Sequence, residues 1–383
     1  MCLGPTLRTL SWTHFGSRDI SLTFRRAIAS SISDSLQQEL TARRLPLTYD
    51  YLSPQPSHLL NLSLPDVLPY STPFASAKHE TTVLPSIQSP RYMPEGHHLI
   101  YFPPQVTLSQ LLPDGTDNLH YPGNPFNRRL WAGGSVTFPS TGRLLLNGQR
   151  AVCVEVIRNV NIKGREGVEK IFVTIERRFA SVQEDEDEAD TRSRVLDSSS
   201  SVLTEQRELV FLRDRTTEQV DSQKMPRTEQ SRLVKCALER HWFIDDANTK
   251  FSLPQAPTHP EISYRITPTK ALLFRFSALT FNAHLIHLDP AYTRDVEGHQ
   301  DLLVHGPLTL TLMLRVLSSH LAMMGRSLRR IEYRNLAPLY VSQEMMIGAK
   351  MKEKNDPTSW EVWVEGPLGL AVRGTIWTEE LHA

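Results

Sequence analysis

The stretch LTLTLMLRVLSSHLAMM, residues 308–324, is apolar almost all round and long enough for about four to five helical turns. A helix without a polar face must be enclosed, so it is expected to lie buried in the concave face of a sheet. Its ends are marked. Gly306 and Pro307 precede it, and proline suits the first helical position. Gly325 follows, where a C-terminal cap favours glycine. Beyond it, RRIEYRNLAPLYV (329–341), QEMMIGAKM (343–351), WEVWVEGPL (360–368) and LAVRGTIW (370–377) alternate apolar and polar residues and read as antiparallel strands. Upstream, after Pro260, ISYRIT (262–267) and ALLFRFSAL (271–279) read as two more. One buried helix wrapped by antiparallel strands is an α+β arrangement.

Towards the N-terminus a second set of strands is expected. AVCVEVIRNVNI (151–162), EKIFVTIERRF (169–179) and SVLTEQRELVFLR (201–213) are dense in Val, Ile and Phe, and the first two are joined by KGREG, a turn with two glycines. Between the second and third, six acids crowd between Glu184 and Asp190 and serines follow, so residues 183–200 read as a solvated loop insertion. The Pro- and Ser-rich part before Pro104 carries only short apolar clusters, HLLNL (58–62) and HLIYF (98–102), and reads as an extended lead-in. With 383 residues the chain is long enough for two cores. The expected division is an extended lead-in over 36–96, an N-terminal domain over 97–213, a polar linker over 214–258 and a C-terminal domain over 259–383.

The 42 basic and 42 acidic side chains cancel, which gives no field of one sign for nucleic acid or a membrane surface. No apolar run approaches the ~20 residues needed to cross a bilayer. Cys2, Cys153 and Cys236 are odd in number and far apart, which suits neither a disulfide framework nor a zinc knuckle. Residues 1–35 hold Arg8, Arg18, Arg25 and Arg26 among many Ser and Thr, and acids are scarce. Ile20, Phe24, Ile28 and Ile32 would form one stripe on a helix, so the segment reads as a mitochondrial transit peptide and the matrix as the location.

The chemistry concentrates in FSALTFNAHLIHLDPAY (276–292), where His284 and His287, with His305 further on, flank the glycine-headed helix. Histidine changes charge near neutral pH and can act as base in one direction and acid in the other. The free N–H groups at a helix N-terminus, beginning at Gly306, offer donors for negative charge building on a carbonyl oxygen. His284 reads equally as a supporting imidazole or as a direct participant. Asp289 with Pro290 has a structural explanation, an N-cap followed by a first helical residue. The three histidines lack the carboxylate or cysteine that would complete a familiar metal spacing, so neither metal nor other cofactor is expected.

IHLDPAY (286–292) is similar to the active-site motif of the hydratase 2 and MaoC-like dehydratases, in which the catalytic histidine is followed by x-Asp-Pro. LLVHGPLTLTLML (302–314) resembles the same family's His-Gly segment at the head of the central helix. RRLWAGGSVTF (128–138), DYLSP (50–54) and HLLNL look like the fungal mitochondrial hydroxyacyl-thioester dehydratase type 2 proteins and their mesaconyl-CoA hydratase-like relatives. The resemblance implies a double hotdog fold whose C-terminal half carries the reactive groups. It also implies His287 as catalytic residue, Asn282 and His284 as its companions, and Gly306 and His305 on the substrate. Two positions depart from the family pattern: the Asp five residues before the histidine is Asn282 here, the Asn two residues after that Asp is His284, and an amide exchanges no proton near pH 7.

The implied reaction is dehydration of (3R)-3-hydroxyacyl thioesters on acyl carrier protein or CoA, in mitochondrial fatty acid synthesis. The alternatives are hydration of short branched or dicarboxylic CoA esters such as mesaconyl-CoA, and acyl-thioester binding without catalysis. A hotdog thioesterase fits less well, because the motif lacks the usual hydrolytic carboxylate. Either a homodimer or a pseudo-dimeric monomer would satisfy the fold.

Overall fold

A computed structural model describes residues 34–64, 82–140, 142–165, 167–197, 203–215 and 255–381. The transit-peptide reading of 1–35 and the linker reading of 214–258 fall almost wholly outside them. Ten strands are present among the described residues. They are β1 (Thr48–Tyr51), β2 (Arg128–Thr137), β3 (Arg150–Lys163), β4 (Lys170–Ser181), β5 (Leu203–Leu212), β6 (Ile262–Ile266), β7 (Arg326–Asn335), β8 (Met345–Met351), β9 (Ser359–Gly366) and β10 (Gly369–Glu380). The helices are α1 (34–42), α2 (Pro54–Ser63), α3 (Glu188–Leu196), α4 (Lys270–Leu279), α5 (Pro290–Asp295) and α6 (Gly306–Met323).

All ten strands join one sheet in the order β1-β3-β4-β5-β2-β7-β10-β9-β8-β6. Reading inward from either edge, each half repeats the same connectivity. First, third, fourth, fifth and second strands follow one another, and the two second strands meet at the centre. The chain therefore folds the same motif twice and joins the copies along β2 and β7, which pair antiparallel from Gly133↔Arg334 to Thr137↔Arg330. The two expected sheets are one continuous sheet because this seam is hydrogen-bonded. Gly133 makes the seam feasible, since a Cβ there would lie 2.4 Å from the Tyr333 carbonyl oxygen of β7, while Gly134 serves the pairing with β5, where a Cβ would lie 2.0 Å from the Gln206 carbonyl oxygen.

α6 is the helix expected from 308–324. Leu308, Leu310, Leu312, Met313, Leu314, Val316, Leu317 and Leu321 are all buried, in one cluster with Ile331, Ile347, Val362 and Ile376 from the C-terminal strands. Pro307 stands in its first turn, and Gly325 follows it at φ +69°. Among the described residues the N-terminal half holds no helix of this length: between β1 and β2 lie the ten-residue α2 and two short 3-10 turns, of which His97–Ile100 is buried throughout. Pro103, Pro104, Pro113, Pro122 and Pro125 crowd the segment leading to β2, and proline both lacks the donor and clashes within a helix.

Two further expectations are corrected. ALLFRFSAL is not a strand but most of α4. Thr269 caps it by accepting from the Leu272 N–H, and Leu272, Leu273 and Phe276 face inward while Phe274 is exposed, a helical period that outweighs the apolar-polar alternation of the run. The solvated loop at 183–200 also contains a helix, α3. Asp187 caps it through bonds from Ala189 N–H (2.7 Å) and Asp190 N–H (3.3 Å), and Glu188 and Asp190 in its first turn suit the dipole. Val195 is fully buried against Leu47, Val152, Val154, Ala180 and Val182. Excising 183–200 is therefore expected to cost about 2–3 kcal/mol from the lost burial of Val195 and its neighbours. A urea titration measures it, and an unchanged midpoint would show that α3 contributes nothing.

Candidate active site

The site forms where α4 ends. Thr280 closes the helix, Phe281 takes φ +51°, and the Asn282 N–H donates to the Ser277 carbonyl at 2.9 Å. The chain then makes a single 3-10 turn, Leu285–His287, and enters α5 through Asp289, whose carboxylate accepts from the N–H groups of Ala291 and Tyr292. Asp289 and Pro290 thus do the capping work read from their order. Leu303 N–H donates to Ile286 O at 3.0 Å, which ties the turn to the segment leading into α6.

His287 is buried, and its Nδ1 lies 2.8 Å from the Leu303 carbonyl oxygen. A carbonyl can only accept, so Nδ1 carries the proton and Nε2 keeps its lone pair. Burial pushes the imidazole down to about 4, against a smaller opposing effect of the Leu303 bond. The ring is therefore neutral at physiological pH, with a basic nitrogen at the cavity. His305 stacks on it at 3.7 Å between ring centroids and 23° between planes.

The other expected residues take different places. Asn282 lines the cavity, but its Oδ1 accepts the His284 N–H at 3.0 Å, so the amide holds the turn as well as facing the cavity. His284 meets His287 edge-on at 5.5 Å, since a 3-10 turn and not an α-helix separates them. Burial drives it well below its ordinary range, reinforced by His287, Arg129 and His299. His305, expected on the substrate, is fully buried and absent from the cavity wall; its Nε2 lies 2.9 Å from the Ser277 hydroxyl. It supports His287 from behind. Gly306 does line the cavity, and a Cβ there would come within 3.2 Å of Trp131 and 3.0 Å of the Asn335 amide nitrogen. Close packing against Trp131 and Asn335 favours glycine at this position.

The cavity has a volume of about 550 Å³ and draws its walls from both halves. Phe276, His284 and His287 come from one, and Trp131, Leu209 and Ile175 from the other. Most of the wall is apolar, but Glu155, Arg177 and Arg207 form a charged section, with Arg177 bridging Glu155 at 2.6 Å and Glu205 at 3.1 Å. Among the described residues no three His, Cys, Asp or Glu side chains are grouped to hold a metal ion.

Sequence reasoning missed Asp114 and Ser277. Asp114 sits in a Pro-Asp-Gly turn of the N-terminal half, with Oδ2 at 3.4 Å from His284 Nε2. Its turn composition is the only signal it carries. Ser277 was hidden in a run read as a strand.

A family model described as hydroxyacyl-thioester dehydratase type 2 matches residues 96–242 and 238–341. The mitochondrial hydroxyacyl-thioester dehydratase type 2 of Schizosaccharomyces pombe is 26% identical over 341 residues, which cover 86% of this chain and 97% of that protein. The mesaconyl-C(4)-CoA hydratase of Chloroflexus aurantiacus is 29% identical over 258 residues, 67% of this chain and 73% of that protein. Among solved structures, a MaoC-like dehydratase from Phytophthora capsici superposes with a TM-score of 0.54 at 10% identity, covering 90% of this chain and 98% of that one. That likeness concerns the fold, and it bears out the double hotdog.

Proposed function

The chain belongs to the hydroxyacyl-thioester dehydratase type 2 family, and on that premise we propose that it removes water from 3-hydroxyacyl thioesters to give trans-2-enoyl thioesters, with His287 moving the protons. It is a hydro-lyase. The observation that carries the reading is the orientation of His287: Leu303 O holds the Nδ1 proton, which leaves Nε2 as the base at the cavity wall.

Elimination breaks the bond from carbon 2 to hydrogen and the bond from carbon 3 to oxygen. Nε2 takes the proton from carbon 2, the electron pair forms the double bond as the bond from carbon 3 to oxygen breaks, and the imidazolium of His287 returns the same proton to the departing hydroxide, which leaves as water and restores the neutral ring. Negative charge shifts onto the thioester oxygen on the way. The first-turn N–H groups of α6 have no partner within the helix, and with the dipole they favour that charge. Gly306, at the cavity wall, is the first of them.

We read the substrate as a (3R)-hydroxyacyl chain on acyl carrier protein, and the place as the mitochondrial matrix. The mitochondrial relatives and the Arg-rich, acid-poor residues 1–35 support the location. The mirrored halves support a pseudo-dimeric monomer as the unit. A second reading, hydration of a short dicarboxylic CoA ester, rests on the mesaconyl-C(4)-CoA hydratase relative. Offering the purified protein trans-2-enoyl-CoA of several lengths and mesaconyl-CoA, and following the conjugated thioester absorbance, tests both. Turnover of the alkyl series supports the first reading, and preference for mesaconyl-CoA the second. Binding without turnover of any would return the protein to the non-catalytic class.

A further inference from the structure

We propose that Asp114 is a positioning residue for the reaction: it reaches across from the N-terminal half to hold His284, with Nε2 turned to its carboxylate and Nδ1 left for the cavity. The inference rests on the reading of His287 and His284 as the reacting centre. It supplies from a distant part of the chain the carboxylate that position 282 lacks.

Three observations carry it. First, Asp114 is 4% exposed, and its two oxygens are used unequally. Oδ1 accepts from the Thr116 N–H (2.9 Å) and hydroxyl (2.7 Å), while Oδ2 makes no hydrogen bond among the described residues and lies 3.4 Å from His284 Nε2. A buried carboxylate oxygen without a partner is costly, which makes its placement against an imidazole nitrogen informative. The contact is longer than an aligned hydrogen bond, as such contacts often are before substrate binds.

Second, the turn that bears Asp114 is fastened to the turn that bears His284. The Leu285 N–H donates to the Asp114 carbonyl at 2.8 Å, one residue beyond His284. Gly115, at φ +83°, is so close that a Cβ would lie 2.1 Å from the Ala283 carbonyl oxygen. Only glycine allows this approach, so the pairing of the two turns is built in.

Third, the surroundings give the carboxylate a task. Besides Asp114, His284 faces His287, Arg129 and His299, all cationic or able to become so, while Glu297 and Arg129 act on Asp114. Burial raises the Asp114 carboxyl and disfavours an imidazolium on His284. A carboxylate in contact is what lets a proton rest on that ring during turnover.

The test is Asp114→Asn, which keeps an oxygen for Thr116 and removes the charge. Expected are a fall in kcat of at least 10-fold with KM changed less than 3-fold, and a move to lower pH of the rate-profile limb governed by His284, because an imidazolium without its counter-ion loses its proton more readily. Asp114→Asn combined with His284→Gln should be no slower than His284→Gln alone, since both substitutions act through one ring. A wild-type kcat and pH profile in Asp114→Asn, alongside an inactive His287→Ala, overturns the proposal and leaves the dehydratase reading standing. Should Asp114→Asn not fold, His284→Gln decides: wild-type turnover leaves Asp114 nothing to act through and overturns the proposal. An active His287→Ala would instead remove the reading on which it rests.

Discussion

His287→Ala is expected to lower kcat at least 100-fold, because it removes the group that takes the proton from carbon 2, and general acid–base groups contribute about 10²–10⁴ in rate. KM should change little, since the cavity wall is shared among many residues of both halves and His287 is one of them. The fold should survive. The substitution gives up one bond to the Leu303 carbonyl and the stack on His305, a loss of about 1–2 kcal/mol against a core that spans α6 and the strands of both halves. His287→Gln fills more of the space and should be as inactive, which separates chemistry from packing. Steady-state kinetics on the enoyl-CoA series read the effect. Wild-type turnover in either variant would place the chemistry elsewhere, and the charged wall near Trp131 would be the next place to look.

Mild acid is expected to destabilise this protein. Burial pushes His97 down to about 3 and His98 and His287 to about 4, and holds His284 and His305 well below their ordinary values. In the unfolded chain the same side chains titrate near 6.5. From pH 6.5 downward the unfolded state therefore binds protons that the folded state refuses, and stability present in full above pH 6.5 is lost as pH falls through the folded values. At pH 5, His98 and His287 would each have given up about 2 kcal/mol. With the other buried imidazoles, the melting temperature should drop by on the order of 10 °C between pH 7.5 and 5. Glu155 and Glu205 act in the same direction as the histidines, but at lower pH. Burial alone would raise them, but Arg177 and Arg207 hold both low, so they add to the loss only below about pH 4. Thermal melts across this range measure the effect, and His287→Gln should flatten the slope by about one proton. A melting temperature constant from pH 7.5 to 5 would mean that these imidazoles are protonated in the folded state.

The 308–324 helix and the strands after it are legible in the sequence because each rests on local pattern, and His287 stands out there through the IHLDPAY motif. An all-apolar run between Gly-Pro and Gly reads as a buried helix wherever it lies, and alternating Val, Ile and Phe read as strands. The cap at Asp289 was legible for the same reason, since a cap is set by the residues beside it. Composition misled in two places where tertiary burial decides. The acidic run hides Val195, which gains its place only once β3 and β4 provide a surface, and ALLFRFSAL becomes a helix because Thr269 caps it and its buried residues follow a helical period.

Other features could not be read from local pattern at all. That the two halves share one sheet depends on Gly133 meeting β7, a contact between residues far apart in the chain. The family resemblance implies His305 on the substrate, yet its ring stacks on His287 and is fully buried. Asp114 looks in the sequence like one more turn residue. Only the folding of the second half against the first sets its carboxylate 3.4 Å from His284, because a contact of that kind is fixed by packing in three dimensions and leaves no period, spacing or composition along the chain.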